Sequence, residues 1–392
     1  MKNWKYKRLS ECSNFISERT SNITIDNYIS TENMIENRGG VKIASTLPDV
    51  KSTSAYKPND ILLSNIRPYF CKIWFADKKG SCSNDVLVVR AKKEIDPKFL
   101  YYVLSDQNFF NWDSITSKGT KMPRGTPNAI MKYSVPDIPL RTQQKIASIL
   151  SAYDNLIQNY KKQIEALQTA ASELYKEWFV RFRFPGYQTT NFENGIPEGW
   201  KVERIGALYD STSGGTPSRE HEEYFQNGTY PWIKTGELKD SPILETEESI
   251  TDEAIKHSSA KLFEKDSLII AMYGATIGQL GINKMKAACN QACCVLRPKK
   301  DKAFGIYYLF HFFKENREFI IGLGNGAAQQ NLSQVLINKL KIVNPNKEIL
   351  EIFEKKESLF FEKIYHLQKQ ITNLTQQRDL LLPRLMSGKL EV

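Results

Sequence analysis

Apolar residues recur every three or four positions over two long stretches of the chain. In the second stretch Phe360, Ile364, Leu367, Ile371, Leu374, Leu381 and Leu385 step by four and three, with Arg378 at the one position that is not apolar. In the first, Ile164, Leu167, Ala171, Leu174 and Trp178 keep the same register. Ile146, Ile149, Tyr153, Leu156 and Tyr160 extend it upstream, with a slight stutter before Ile164. A period near 3.5 predicts helices carrying a coiled-coil seam. At ~1.5 Å per residue, some 35 residues make a rod of roughly 50 Å. One seam on each of two rods predicts that the rods pair with each other, the alternative being that each rod packs on its own domain; if they pair antiparallel, the domains sit at opposite ends. Outside them the pattern changes. DILLSNI, VLVVR, SLIIAM and ACCVLRP are short apolar runs bounded by turn signals and read as strands. FLYYVLSDQNFFNW at 99–112 and GIYYLFHFFKENREFI at 305–320 have helical periodicity.

These elements occur twice. WKYKRLSECSNF at 4–15 aligns with WKVERIGALYDS at 200–211, and PNDILLS at 58–64 with EKDSLII at 264–270. CSNDVLVVR at 82–90 aligns with CNQACCVLR at 289–297, Pro139 with Pro345, and KKQIEAL at 161–167 with QKQITNL at 368–374. KGTKMP at 118–123 and NGAAQQ at 325–330 match in position rather than identity. The predicted fold is α+β: two homologous mixed, β-rich domains separated by two long paired helices, with pseudo-two-fold symmetry. The expected boundaries are a first domain at 1–140, a first long helix at 141–183 and a linker at 184–199. A second domain follows at 200–345, then a second long helix and tail at 346–392. Two copies are too few for a solenoid.

Composition narrows the class of partner. Lys and Arg outnumber Asp and Glu by 54 to 44, giving a net charge of +10. That excess favours a polyanion, most often nucleic acid. Six cysteines include the run Cys289, Cys293 and Cys294 but no C-x-x-C pair. A zinc site is therefore not expected, and CNQACCVL reads as a buried strand. A thiol-rich chain whose start, MKNWKYKRLS, lacks the apolar stretch of a secretory signal is expected in the cytoplasm.

Signatures of catalysis are largely missing. GGTP at 214–217 lacks the GK[ST] of a phosphate loop. There is no G-x-S-x-G elbow and no H-E-x-x-H helix, and His221, His257, His311 and His366 are dispersed. GLGNGA at 322–327 fits the loose dinucleotide pattern, but a helical segment precedes it and a rod follows, leaving no room for a βαβ unit. NPNK at 344–347 lacks the aromatic ending by which an amino-methyltransferase holds its base. One enzymatic alternative is an Mg-dependent DNA nuclease centred on Asp210, Glu237 and Lys239. A structural alternative is a coiled-coil adaptor without DNA affinity. Loops rich in cations and amides are more informative. SNIRPYFCK at 64–72 and KGTKMPRGT at 118–126 supply Asn65, Arg67, Lys72, Lys118, Thr120, Lys121 and Arg124. The second copy offers Thr216, Ser218 and Arg219 in GGTPSR, Lys234 in WIKTGE, and Gln329, Gln330 and Asn331 in NGAAQQN. Lys and Arg neutralise phosphates, while Arg, Asn and Gln can bind base edges bidentately.

Taken together, WKVERIGALYDSTSGGTPSR, WIKTGEL, YGATIG, NQA, NDILLSNIRPYFCKIWFADKKG, CSNDVLVV, GTKMPRG and LYKEWFVRFRFPG make the chain resemble the specificity subunit of type I restriction–modification systems. The resemblance runs over essentially its whole length. It implies two target-recognition domains, each followed by a long helix, with the two helices paired as an antiparallel coiled coil and each domain reading one half of a bipartite double-stranded DNA site, and it adds Tyr273 and Gln291 to the DNA-binding candidates. It also implies a chain without catalysis, cofactor or metal of its own. Two methylation subunits would dock on the helices, with restriction and translocase subunits completing the complex. S-adenosylmethionine, ATP and Mg would lie on those partners. PDIPLRTQQ at 136–144 lacks the Glu of the family's usual Glu-Gln pair, and NPNKEILEIF lacks the Gln as well, so contacts to the methylation subunits are expected to differ. The two domains differ in detail, which implies an asymmetric site.

Overall fold

The computed structural model describes residues 4–299, 305–324, 331–390 and 392. They form two compact units, Met1–Ile157 with Asn373–Val392, and Gln158–Thr372. The first contains strands β1 (Lys5–Arg8), β2 (Ser13–Phe15), β3 (Thr53–Tyr56), β4 (Ile61–Ser64), β5 (Ile73–Phe75), β6 (Gly80–Cys82) and β7 (Val86–Ala91). Helices α1 (Pro97–Ser105) and α2 (Gln107–Thr116) follow, then β8 (Ser134–Asp137) and the start of the long helix α3 (Leu140–Tyr175). One antiparallel sheet has the order β2-β7-β4-β5, with Val89 opposite Phe15 and Leu62 opposite both Val88 and Trp74. β3 and β6 lie at the centre of a second sheet, and β1 pairs with β8.

β4 explains this layering. All four of its residues are buried, and successive side chains of a strand point to opposite faces. Ile61 and Leu63 join α1 in one core, whereas Leu62 joins Tyr56, Cys82 and Val88 in another. Each fully buried aliphatic side chain contributes about 1.5–3 kcal/mol, so a run such as ILLS is kept only by a strand covered on both sides. The apolar stretch at 99–112 is two helices rather than one. Asp106 breaks it with ψ near 143° and caps α2 by accepting from Asn108 N at 2.8 Å.

The second unit repeats the plan. It contains β9 (Lys201–Arg204), β10 (Tyr209–Ser213), β11 (Tyr230–Ile233), β12 (Ser241–Ile243), β13 (Leu268–Ala271), β14 (Leu280–Asn283), β15 (Ala288–Cys289) and β16 (Cys293–Pro298). Helices α4 (Ile306–Glu315) and α5 (Arg317–Leu323), strand β17 (Lys341–Asn344) and the long helix α6 (Lys347–Met386) complete it. The main sheet has the order β10-β16-β13-β14-β12, and β9 pairs with β17 as β1 does with β8. β13 divides its side chains as β4 does, Leu268 and Ile270 into one core and Ile269 and Ala271 into another. All three cysteines of the 289–294 run are buried, and burial pushes the Cys294 thiol up to about 12.

The long helices pair antiparallel. In the first unit Ile146, Ala147 and Leu150 of α3 share a core with Leu382, Leu385 and Met386 of α6. In the second, the end of α3 and the π-helical turn Lys176–Val180 meet the start of α6, with Phe179 4.8 Å from Phe353. The seam departs from the expected register upstream. Ile146, Leu150 and Ile157 are buried, while Ile149 and Leu156 are exposed. Docking on the domain sets this end: Gln143 is buried, donates to Ile138 O and accepts from Asp96 N at the start of α1. Phe361 rather than Phe360 is buried, preceded by Phe353 and Glu357. Two polar groups sit in the pairing surface. Arg378 binds Asp154 at 2.6 Å, and Asp154 also accepts from Tyr102. Glu357 lies 2.9 Å from His311 on α4.

Candidate nucleic-acid interface

In the first unit three loops are laced together by backbone hydrogen bonds. After β4, Pro68–Phe70 forms a single 3-10 turn closed by Phe70 N to Arg67 O and Cys71 N to Pro68 O. Arg67 and Cys71 bracket it with φ of 50° and 51°, in the left-handed region that non-glycine residues rarely occupy. The second loop, 118–126, is a small hairpin in which Lys118 and Arg124 exchange both backbone bonds at 2.9 Å. It is tied to the first by Arg67 N to Pro123 O at 2.8 Å and Gly125 N to Asn65 O at 3.0 Å. The third loop holds the far side: Asn37 N binds Phe70 O, and Arg38 N binds Cys71 O. Arg38 in turn donates to Ser105 O, tying it to the end of α1.

This lacing brings the first-copy candidates onto one surface. Lys118, Thr120, Lys121 and Arg124 are exposed, and only Arg124 has a salt bridge among the described residues, to Asp85 at 3.2 Å. Lys72 is held inward, donating to Thr31 O and lying 5.6 Å from the Phe70 ring. Arg67 is half-buried with its guanidinium 6.0 Å from the same ring. Beneath the loops lies a carboxylate the sequence did not flag. Asp113 of α2 is fully buried, and among the described residues neither of its oxygens has a hydrogen-bond partner. Burial pushes its pKa up to about 7. Arg67 Nε and Asn65 Oδ1 are likewise without partners among the described residues. A Cβ at Gly125 would lie 2.6 Å from Asp113 Oδ1 and 2.8 Å from Asn65 Oδ1, so the hairpin passes over both at a distance only glycine permits.

In the second unit the glycine turn, β11 and the β15–β16 turn converge. Gly215 N binds Cys289 O, Trp232 Nε1 binds Gly215 O, and Asn290 N binds Ile233 O. Thr216 is half-buried and Ser218 exposed. Arg219 stacks over Phe225 at 4.1 Å and binds Glu248 at 2.7 Å. Lys234 binds Glu247 at 2.7 Å and Glu248 at 3.0 Å. The Arg219 hydrogen bond leads in holding Glu248 below the usual carboxylate range, and the Glu247 bond raises Lys234. Arg219 and Lys234 are thus neutralised within the unit, whereas Lys118 and Lys121 are not. Tyr273 donates to Gln291 O at 2.9 Å, and Leu332 N binds Met272 O, which sets exposed Gln291 and Asn331 near Tyr273. Gln329 and Gln330 lie outside the described residues.

The residues of the nuclease alternative do not converge. Both oxygens of Glu237 are taken by backbone amides, of Lys234 and Glu247, and Asp210 lies on β10 opposite Arg297. Among the described residues no group of three or more His, Cys, Asp or Glu could hold a metal ion, and no helix is long and apolar enough to cross a membrane.

Residues 1–169 and 197–379 match the family described as type I restriction modification DNA specificity domain. The type I restriction enzyme MjaIX specificity subunit of Methanocaldococcus jannaschii is 29% identical over 309 residues, covering 77% of this chain and 71% of that one. The HindI specificity subunit of Haemophilus influenzae is 24% identical across the full length of both. The crystal structure of a type I restriction–modification S subunit from M. genitalium superposes with a TM-score of 0.64 at 19% identity, covering 98% of this chain and 96% of that one, and so shares its fold.

Proposed function

The chain belongs to the type I restriction modification DNA specificity family, and from that premise we propose that its two β-rich domains each read one half of a bipartite, asymmetric DNA site. It is a specificity subunit: it recognises a DNA sequence and acts with methylation and restriction subunits. One observation carries the asymmetry. The same fold occurs twice in the chain, but its loops are chemically unlike. The 118–126 hairpin presents exposed Lys118 and Lys121, unpaired among the described residues, whereas Arg219 and Lys234 are held by Glu247 and Glu248. Two copies of one scaffold with different loop chemistry read different sequences. The first unit would engage phosphates strongly through its lysines. The second would rely more on Tyr273 and on Gln291 and Asn331, whose amides suit base edges.

The chain supplies recognition and its partners supply reaction. S-adenosylmethionine belongs to two methylation subunits, and ATP and Mg to the restriction subunits. The methylated base is drawn out of the duplex by the methylation subunits. The exposed sides of α3 and α6 serve as their docking surface. Co-expression with the methylation subunits, followed by methylation-sensitive sequencing of the host genome, tests this reading. A single bipartite motif with unlike halves is expected, and exchanging residues 200–345 for those of a relative should change one half only. A palindromic motif, or methyl transfer by the purified chain alone, would refute it.

A further inference from the structure

The turn between β4 and β5 carries a residue that neither composition nor fold accounts for. Tyr69 is 52% exposed and its hydroxyl makes no hydrogen bond among the described residues. Its ring lies 4.7 Å from that of Phe70, which is half-buried. The turn that presents it is clamped on both sides. Arg67 is fixed by Pro123 O, and the carbonyls of Phe70 and Cys71 by the amides of Asn37 and Arg38. Two non-glycine residues, Arg67 and Cys71, are held left-handed to make the turn. Such conformations cost free energy and persist where the surroundings over-determine them, often at ligand sites. Burying the aromatic face would have been favourable, but the backbone directs it outward.

Its surroundings are basic and apolar together. Met122, next to the proline that binds Arg67, is 49% exposed, and Ile115 on the helix packed against this turn is 83% exposed. Lys118, Lys121 and Arg124 lie on the same hairpin. An aromatic side chain held out by a clamped turn, tied to a hairpin that carries exposed Lys118 and Lys121 without salt bridges among the described residues, suits duplex DNA: the cations meet phosphates and the ring meets the flat face of a base at an unstacked step. A protein partner would favour a broader apolar patch with fewer free lysines.

We propose that Tyr69 is a specificity-determining residue of the first recognition domain, which stacks on a base in its half-site, with Met122 beside it as an apolar wedge. The inference rests on the reading of this chain as a DNA-recognition subunit. Phe70 backs the ring, and the clamped turn lets Tyr69 enter the groove without ordering a loop. Because kinkable steps unstack most easily, the residue selects sequence by deformability as well as by contact.

The test uses the full chain assembled with its methylation subunits, and as probe a duplex carrying the sequence methylated in a host that expresses the wild-type proteins. Tyr69→Ala should weaken binding about 10- to 100-fold, corresponding to about 1.4–2.8 kcal/mol. Tyr69→Phe, which keeps the ring, should bind as wild type. The genomic methylation pattern of the alanine variant should relax in one half-site only. Unaltered melting temperature keeps a folding defect out of the comparison. If wild type binds the probe and Tyr69→Ala binds equally well, or if Tyr69→Phe fails as badly as alanine, the stacking role is wrong. If the wild-type complex binds no DNA, the recognition reading itself fails.

Discussion

Glu357→Gln should make the protein more stable in mild alkali, because Glu357 and His311 form a buried pair whose burial favours the neutral form of each. They lie 2.9 Å apart with 0% and 1% of their side chains exposed, and Glu357 Oε1 and His311 Nδ1 have no partner among the described residues. Burial pushes Glu357 up to about 8 from 4.5 and His311 down to about 3 from 6.5. Between pH 6.5 and 8 the folded state therefore keeps a proton on Glu357 that the unfolded chain has lost. Stability falls as pH rises through this window, by up to about 1.4 kcal/mol per pH unit, or about 2 kcal/mol across it. Between pH 4.5 and 6.5 the unfolded chain gains a proton on His311 as it loses one from Glu357, so the two trends cancel. Glutamine can still donate to His311 but has no proton to lose. Glu354, also raised to about 7, mainly by burial and in part by Glu357, is present in both proteins, and its loss of the Glu357 charge in the variant adds a smaller change of its own. Urea unfolding followed by fluorescence of Trp178 and Trp200, which share the core of the second unit, should show the stability gap widening by about 2 kcal/mol from pH 6.5 to 8. A gap that stays flat would mean that the pair is buried as an ion pair, and the burial argument would be wrong.

Replacing Lys118 and Lys121 together by alanine should weaken DNA binding by the assembled complex and reduce the slope of log affinity against log salt by about 2, roughly 0.9 for each phosphate no longer neutralised. An unchanged slope would remove both lysines from the interface. Arg378→Ala strips Asp154 of its cation and should cost about 1–3 kcal/mol in chemical unfolding. Asp113→Asn should raise stability increasingly as pH climbs from 3.8 to about 7, because the folded state must otherwise keep a proton on a carboxyl that burial has raised. A pH-independent effect in that titration would show the carboxyl to be ionised in place.

The duplication was legible because each copy places the same kinds of residue in the same order: a tryptophan strand, buried runs at 61–64 and 268–271, a second buried strand, then apolar helices. Continuous apolar runs mark central strands whatever the tertiary detail. The heptad was legible only where helix packs on helix. At the start of α3 the domain core overrides it, and Gln143, Ile146 and Leu150 turn inward instead. His311 looked isolated because Glu357, which completes its surroundings, is far away in sequence and sits on a heptad that otherwise reads as apolar. The basic loops were visible as loops, but not which lysines remain free. That depends on Glu247 and Glu248 folding back onto Lys234 and Arg219 while no acid reaches Lys118 or Lys121 among the described residues. Tyr69 was hidden for a different reason. Its display depends on the backbone angles of Arg67 and Cys71, which residue type does not predict.

The polar groups in the helix pair also bear on inheritance. A protein built from two copies of one unit could assemble by trading halves between molecules, since each half carries a similar domain and a similar rod. Arg378 and Asp154 oppose this. In the aligned register Ala171 stands where Arg378 does, so two first halves paired together would set Asp154 against a methyl group and leave its charge unanswered. A first half therefore prefers a second half to another first half as its partner. A recombinant that exchanges a recognition domain can be expected to keep its fold when the crossover leaves these helix residues with their mates.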